Sequence, residues 1–252
     1  MFFPRSSGSL RPRARFFPSR GGTVRRARLD KPGVYDKIVV FQMCFGQGRC
    51  RALRTVYLLR HAAPLLPDEM RRWCLGSRSD PPLSPTGQSA AAALARRLSG
   101  LAVSAVGTSP LLRCRQTAEL LFPQLPAAVL PGMAELDCGA WDGLPFDVIR
   151  AEYPEAYALR GADPSIPPPG GEPLAQAAAR GIAAITDFLA ETEGDLAIIG
   201  HAGINRAILC ALAARPFSEA PEIPMDYLSI HLLCQANGAL RAEPRQKGSM
   251  VL

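Results

Sequence analysis

The sequence lacks the features that mark membrane spans, disulfide scaffolds and P-loop nucleotide sites. No run of about 18 uncharged apolar residues occurs, and the best candidate, Leu120–Ala134, is interrupted by Pro123, Pro126 and Pro131. The seven cysteines are odd in number and contain no C-x-x-C pair, which indicates neither a disulfide framework nor a zinc site. No G-x-x-x-x-G-K-[ST] loop is present. We therefore expect a cytoplasmic protein with reduced thiols and no membrane partner.

Acidic residues are scarce in the first part of the chain, and this decides what the net charge of +7 means. Residues 1–54 hold 13 Lys and Arg against two Asp, a net +11, so the remaining 198 residues carry −4. A basic excess over a whole chain would suggest nucleic acid or a membrane surface as a partner. Here the excess belongs to one segment, and the rest of the protein is acidic.

We expect residues 1–53 to be a disordered basic segment. The segment is rich in Arg, Ser, Gly and Pro and lacks a sustained period, so it buries too little apolar surface to offset its ordering entropy. It could be a mitochondrial-type targeting peptide, a basic arm for nucleic acid or anionic lipid, or an extension before a later start at Met43. The lack of a clear amphipathic helix favours the last two. A domain at 54–245 and a tail at 246–252 complete the predicted division.

Strand and helix patterns alternate along the predicted domain. Three short apolar runs have the composition of buried strands: Thr55–Leu59, Leu101–Gly107 and Asp195–Ile199. Helical patterns follow from Ser84-Pro85 to Leu98, from Pro110, over Glu172–Thr192 and over Gly203–Ala214. Asp163–Gly171 is predicted to be a loop, and Asn237-Gly238 a hairpin turn between Tyr227–Leu233 and Ala239–Ala242. The pattern predicts a three-layer α/β/α sandwich with a mostly parallel central sheet.

Two of the three histidines directly follow predicted buried strands. His61 comes after TVYLLR, and His201 comes after DLAIIG. Ligands of open α/β sheets bind at the carboxyl ends of the strands. Arg60 precedes the first histidine, and Arg113 lies in the first turn of the helix after the second strand. Because guanidinium groups and helix N-termini both favour anions, these four residues predict a phosphate pocket.

Six ordered blocks resemble the histidine phosphatase superfamily, which has the phosphoglycerate mutase-like fold. Leu58–Ala62 (LLRHA) is similar to the family signature L-x-R-H-G. Further blocks match in the same order: Gly76–Gly87 (G-x-x-D-x-P-L-S-x-x-G), Ser109–Ala118 (S-P-L-x-R-x-x-Q-T-A), Glu135–Gly143 (E-x-x-x-G-x-W-x-G), Pro169–Glu172 and Gly200–Gly203. The first signature is weak by itself, but six blocks in order are specific.

The resemblance implies a role for each matching residue. His61 would be the nucleophile that becomes phosphohistidine, and Glu135 would protonate the leaving oxygen and then activate water. Arg60, Arg113 and His201 would hold the phosphoryl oxygens and stabilise the transition state, with Ala202 as a further substrate-binding residue. The resemblance implies neither a metal nor another cofactor.

Departures from the family pattern favour its phosphatase branch, including the α-ribazole phosphatase type. Ala62 replaces the usual glycine after the histidine, a change that we expect to be tolerated. Pro67 stands where the mutase pattern R-H-G-E-S-x-x-N has asparagine, and the long mutase insert is missing. These differences disfavour phosphoglycerate as a ligand.

The sequence thus predicts a phosphatase that hydrolyses a small phosphomonoester through phosphohistidine. The alternatives are a phosphoglycerate mutase-type phosphomutase, an inactive phosphate-binding protein, and a nucleic-acid binder acting through the basic segment. The complete set of predicted catalytic residues argues against inactivity. Arg71-Arg72 and Arg78 either frame an acidic substrate or belong to a solvated loop. The sequence carries no signal for an oligomeric state.

Overall fold

The computed structural model describes residues 53–236 and 238–242. These residues form one sheet of six strands, six α-helices and three short 3₁₀ turns. The strands are β1 (Arg54–Arg60), β2 (Ala105–Thr108), β3 (Ala127–Val129), β4 (Leu196–Gly200), β5 (Ile230–Ala236) and β6 (Ala239–Ala242). The helices are α1 (Pro85–Arg97), α2 (Leu112–Leu121), α3 (Phe146–Glu152), α4 (Pro154–Ala162), α5 (Leu174–Glu191) and α6 (Ala202–Leu212).

The sheet is mostly parallel, as the sequence predicts. Its strand order is β3-β2-β4-β1-β5-β6. The strands β3, β2, β4 and β1 pair in parallel, whereas β5 and β6 add an antiparallel hairpin at one edge. Gly238 has φ 80° in the turn of that hairpin, which agrees with the predicted turn, and its neighbour Asn237 lies outside the described residues.

Apolar side chains alternate between the two faces of the sheet and bury both of them. Along β4, Leu196 and Ile198 pack with α5 and α6, while Ala197 and Ile199 pack with α1 and α2. This period of two is the geometry of a strand whose faces are both covered. The protein therefore has the three-layer α/β/α architecture of the phosphoglycerate mutase-like fold.

Several predicted boundaries are wrong. The second strand begins at Ala105 rather than Leu101, because Val103 N–H bonds to Leu101 O in a turn. The strand predicted from Tyr227 begins at Ile230, because Leu228 takes a left-handed conformation with φ 62°. The sequence patterns also missed β3, α3 and α4. The loop predicted at 163–171 is confirmed.

The predicted terminal segments fall almost entirely outside the described residues. Of 1–53 only residue 53 is described, and of 246–252 none is. The boundaries at 53 and 245 therefore stay predictions. Within the described ranges, no helix is both long and apolar enough to cross a membrane.

The first turn of α1 packs against the loop that follows β1. Ser84 caps this helix by accepting the Gly87 N–H, and its own N–H donates to Ala63 O at 3.0 Å. A Cβ at Gly87 would lie only 2.1 Å from Ala63 O, whereas a Cβ at Gly161 in α4 would meet no atom within 4 Å. A backbone atom cannot move aside as a flexible side chain can, so this approach requires glycine.

We predict that Gly87→Ala lowers the free energy of unfolding by about 1–3 kcal/mol through overpacking, despite the better helix propensity of alanine. Gly161→Ala is the matched control. It should leave the stability unchanged or raise it by up to about 1 kcal/mol, because only propensity acts there. Urea unfolding followed by circular dichroism measures both variants, and equal midpoints would contradict the close approach at Gly87.

Candidate active site

Parallel pairing of β1 and β4 places two histidines side by side. Arg60 is in register with Gly200, so the next residues, His61 and His201, both emerge at the carboxyl edge of the sheet. The His61 N–H donates to Gly200 O at 3.0 Å, and the two imidazole centroids are 5.0 Å apart. The structure thus brings together the two histidines that the sequence predicted to follow buried strands, because these two strands are neighbours.

The ring of His61 is buried and held in one tautomer. Its Nδ1 lies 2.7 Å from Ala62 O, and because a carbonyl only accepts hydrogen bonds, we assign the proton to Nδ1. The lone pair is then on Nε2. Burial and the charges of Arg113 and Arg60 hold the pKa of His61 well below its usual value. A neutral imidazole with a free Nε2 lone pair is the state that a nucleophile requires.

His201 is buried against side chains that follow β2, the other neighbour of β4, in the loop and in α2. Its Nε2 lies 2.7 Å from Ser109 Oγ and 3.3 Å from Cys114 Sγ. Burial and the Arg113 charge hold the pKa of His201 well below its usual value, and burial raises the pKa of the Cys114 thiol. Ser109 directly follows β2, so the rule that singled out the histidines, a polar residue after a strand, would also have found it.

Arg113 is a buried cation that the protein orients with neutral groups. Its side chain is 1% exposed; Nη1 donates to Ser79 O at 2.6 Å and Nη2 to Gly76 O at 3.2 Å. The nearest carboxylate, Asp80, is 3.8 Å away and partly exposed. The Nε of Arg113 is buried without a hydrogen-bond partner among the described residues. A buried guanidinium with so little compensation favours an anion.

Asp142 holds the loop that orients Arg113. Its Oδ1 accepts hydrogen bonds from Gly76 N–H at 3.0 Å and Ser79 Oγ at 2.5 Å, and its Oδ2 accepts from Arg78 N–H at 2.9 Å. Gly76 and Ser79 are the residues whose carbonyls bind Arg113. Asp142 lies inside one of the family-like blocks, but the sequence assigned it no role.

The surface arginines near this loop are used within the protein. Arg71 pairs with Asp147 at 2.5 Å, and Arg78 lies 3.2 Å from Asp137. For these two arginines, the structure favours the loop interpretation over contacts with an acidic substrate.

Arg60 is the second cation of the site. Its Nη1 donates to Met225 O at 2.5 Å, and its Cζ lies 3.9 Å from the ring centroid of Tyr227. Its Nε is buried and has no hydrogen-bond partner in the described part of the chain. The electrostatic field of Arg60 acts on both His61 and Glu135, so this guanidinium lies among the predicted catalytic residues.

Glu135 caps the N-terminus of α6. Its Oε2 accepts from Gly203 N–H at 3.0 Å, and its Oε1 accepts from Ile204 and Leu136 N–H, both at 2.9 Å. A Cβ on Gly203 would lie 2.6 Å from Oε1, so glycine permits this contact. The neighbouring Ala202 N–H makes no hydrogen bond within 53–236 and 238–242. An unpaired amide at a helix start beside His201 suits an anionic oxygen.

Arg180 on α5 fixes the segment that carries Glu135. Its Nη1 donates to the carbonyls of Gly132 and Ala134, both at 2.8 Å, and its Nη2 donates to Glu135 O at 3.1 Å. Its Nε donates to Glu172 Oε2 at 3.1 Å. No local pattern distinguishes Arg180 from other helix arginines, so the sequence does not predict its role.

These features give one edge of the sheet a chemistry that suits an anion such as a phosphoryl group. Two guanidinium groups and a helix amide without a hydrogen bond in the described part of the chain are donors of the kind that bind phosphate. A neutral imidazole stands beside them with a free nitrogen, and a carboxylate is fixed at the start of α6.

The comparisons with known proteins agree with this description. The chain belongs to the histidine phosphatase superfamily (branch 1), whose family model matches residues 56–244. The resemblance predicted from the sequence blocks is thereby confirmed.

The curated relatives are longer proteins. The chain is 30% identical over 183 residues to 6-phosphofructo-2-kinase/fructose-2,6-bisphosphatase of Caenorhabditis elegans, covering 70% of this chain and 38% of the relative. The chain is 29% identical to 6-phosphofructo-2-kinase/fructose-2,6-bisphosphatase 1 of Bos taurus, covering 79% of this chain and 39% of the relative. The chain thus spans about two fifths of the length of these relatives.

Solved structures of similar fold include several phosphatases. A mycobacterial glucosyl-3-phosphoglycerate phosphatase superposes with a TM-score of 0.65 at 26% identity, covering 73% of this chain and 91% of that one. An α-ribazole phosphatase from Shigella flexneri gives a TM-score of 0.65 at 21% identity, covering 75% and 94%. The second likeness shows the fold alone.

The burial of His61 and His201 makes the free energy of unfolding depend on pH. Their pKa values lie below the usual value in the folded protein. As the pH falls below about 6.5, the unfolded chain binds protons that the folded protein does not, so stability is lost. Each neutral histidine contributes up to about 1.4 kcal/mol per pH unit to this loss.

We predict that urea unfolding between pH 7.5 and 5.0 shows this decline in the wild type and a shallower decline in His201→Gln. The glutamine cannot take up a proton, so one of the two contributions disappears whatever the overall stability of the variant. Equal slopes for the two proteins would contradict the assignment of a neutral, buried His201.

Proposed function

We propose that this protein is a phosphatase that hydrolyses a small phosphomonoester through a phosphohistidine on His61, without a metal ion. The proposal depends most on the hydrogen bond between His61 Nδ1 and Ala62 O, which leaves Nε2 as a free nucleophile beside the cations Arg60 and Arg113. The partner that this site requires is a small phosphorylated substrate.

The phosphoryl group would bind to the two guanidinium groups, the Ala202 N–H and His201. Arg60 and Arg113 each have a buried Nε without a hydrogen-bond partner in the described part of the protein. Fixed donors of this kind stabilise the charge on the phosphoryl oxygens without having to reorganise during the reaction. The same cations disfavour protonation of His61, so one electrostatic field both binds the substrate and keeps the nucleophile neutral.

The reaction would proceed in two displacements. In the first, His61 Nε2 bonds to phosphorus while the ester P–O bond breaks, and the leaving oxygen takes a proton from Glu135. In the second, water bonds to phosphorus, Glu135 takes a proton from that water, and the N–P bond breaks to release phosphate. One covalent intermediate divides a difficult hydrolysis into two easier steps.

The contacts of Glu135 are compatible with this role. A carboxylate has about four acceptor positions, and three are occupied by the backbone amides of Leu136, Gly203 and Ile204. The remaining position is free for the exchanged proton. The hydrogen bonds of Arg180 to the same segment keep the carboxylate in place.

Hydrolysis is favoured over phosphoryl transfer within the substrate. Pro67 and the missing insert depart from the mutase pattern. The names of the C. elegans relative and of the mycobacterial structure include bisphosphatase and phosphatase activities, respectively. We also propose a cytoplasmic location, supported by the free thiols of Cys74, Cys114, Cys138 and Cys210.

Replacing the nucleophile should abolish turnover. We predict that His61→Ala lowers the rate on p-nitrophenyl phosphate, measured with a chelator present, by at least about a thousandfold. His231→Gln is the matched control, because its amide can still donate to Pro224 O, which His231 contacts in the structure. Full activity of His61→Ala would refute the mechanism. Acid-labile label from ³²P-substrate, trapped on the wild type only, would support it.

Replacing the acid should have an effect that depends on the leaving group. We predict that Glu135→Gln slows hydrolysis of glycerol phosphate by about 100-fold or more but slows hydrolysis of p-nitrophenyl phosphate much less, since nitrophenolate leaves without a proton. Glu152→Gln, an exposed carboxylate at the end of α3, serves as the control. The same loss on both substrates would show that Glu135 is not the acid.

A further inference from the structure

Tyr227 contacts two residues of the site, yet the phosphoryl transfer steps give it no role. Its ring centroid lies 5.6 Å from that of His61, and Arg60 Cζ lies 3.9 Å from the ring. The residue is nevertheless 42% exposed. By contrast, Trp141, an aromatic side chain that serves packing, is 2% exposed. Tyr227 therefore presents aromatic surface to solvent beside the nucleophile.

Several hydrogen bonds tie the segment around Tyr227 to the end of β1. Arg60 N–H donates to Ser229 O at 3.0 Å, and Arg60 Nη1 donates to Met225 O at 2.5 Å. Leu228 has φ 62°, a left-handed conformation that is costly for leucine and persists where surrounding contacts fix it. The ring of Tyr227 is thus held in a defined place rather than on a free loop.

The Tyr227 ring is close enough to His61 to reach a substrate bound there. In an in-line displacement, phosphorus approaches the attacking nitrogen to about 3–3.5 Å, and the ester oxygen lies on the far side of phosphorus. The alcohol part of the substrate consequently begins several ångströms from the imidazole. A partly exposed ring centred 5.6 Å from the imidazole centre is within reach of that part of the substrate.

We propose that Tyr227 determines specificity by forming a wall for the alcohol part of the phosphomonoester. Aromatic faces attract flat, largely apolar groups by stacking and by burying area. The favoured substrates are then phosphomonoesters that carry a flat ring close to the ester oxygen, as aryl phosphates do. The assignment rests on the proposed phosphatase function, because it takes the position of the leaving group from that reaction.

The first test compares phenyl phosphate with glycerol phosphate on the wild type, Tyr227→Ala and Tyr227→Phe. Tyr227→Ala should raise KM for phenyl phosphate about tenfold, the magnitude of one aromatic contact, and should leave KM for glycerol phosphate within about twofold. Tyr227→Phe should behave as the wild type, since the ring face and not the hydroxyl makes the contact. Urea unfolding checks that each variant is folded.

Inorganic phosphate separates this role from mere support of Arg60. Its inhibition constant should be unchanged in Tyr227→Ala, because phosphate has no alcohol part and Arg60 keeps its bond to Met225 O. A rise in that constant together with an equal loss on both substrates would overturn the proposal, since Tyr227 would then act only by positioning Arg60.

Binding of phenylphosphonate and methylphosphonate, measured by calorimetry, distinguishes failure of this proposal from failure of the proposed function. A phenyl preference that disappears in Tyr227→Ala supports the wall even if the His61→Ala variant shows that turnover does not use His61. Equal affinities of the wild type for the two phosphonates would overturn the wall even if the phosphatase activity is established.

Discussion

The in-register pairing of β1 with β4 is the constraint on which the site depends. Because Arg60 lies opposite Gly200, the residues that directly follow the two strands lie side by side, and both are histidines whose ring centroids are 5.0 Å apart. The same strand β4 pairs with β2, so Ser109 arrives within 2.7 Å of His201. A shift of one residue in either pairing would turn the side chains that follow to the opposite face. Helix α6 begins directly after β4, and its first amides therefore lie at the same edge.

Electrostatics follow from how this edge is buried. The protein orients Arg113 with the carbonyls of Ser79 and Gly76 and orients Arg60 with that of Met225. Neutral acceptors fix a guanidinium group and leave its charge in place, whereas a paired carboxylate would cancel that charge. Burial, together with the remaining positive field, lowers the pKa values of both histidines, and the same field favours a phosphate dianion. The net charge of the whole chain does not reveal this field, since the basic excess belongs to residues 1–54 and the remaining residues carry −4.

Local patterns predicted the parts of the site that lie next to strands, and they missed the parts held by distant contacts. His61 and His201 were found because buried apolar runs end directly before them. Arg180 and Asp142 act through hydrogen bonds to segments far away along the chain, for which a single sequence carries no signal. Tyr227 was assigned to a strand, because its apolar surroundings have the composition of one. The left-handed conformation of Leu228 and the hydrogen bond from Arg60 to Ser229 O instead hold that segment beside the site.

The two proposed tasks, holding the phosphoryl group and contacting the alcohol part of the substrate, thus fall to regular and to irregular backbone, respectively. Residues at the strand ends and at the start of α6 surround the position proposed for the phosphoryl group, and regular hydrogen-bond ladders fix their positions. The segment around Tyr227 lies outside the sheet and faces the position proposed for the alcohol part of the substrate. A loop can exchange its side chains without disturbing the strand register, because its contacts to the sheet use backbone atoms such as Met225 O and Ser229 O. Substrate preference within this fold can therefore change while the chemistry at the sheet edge stays the same.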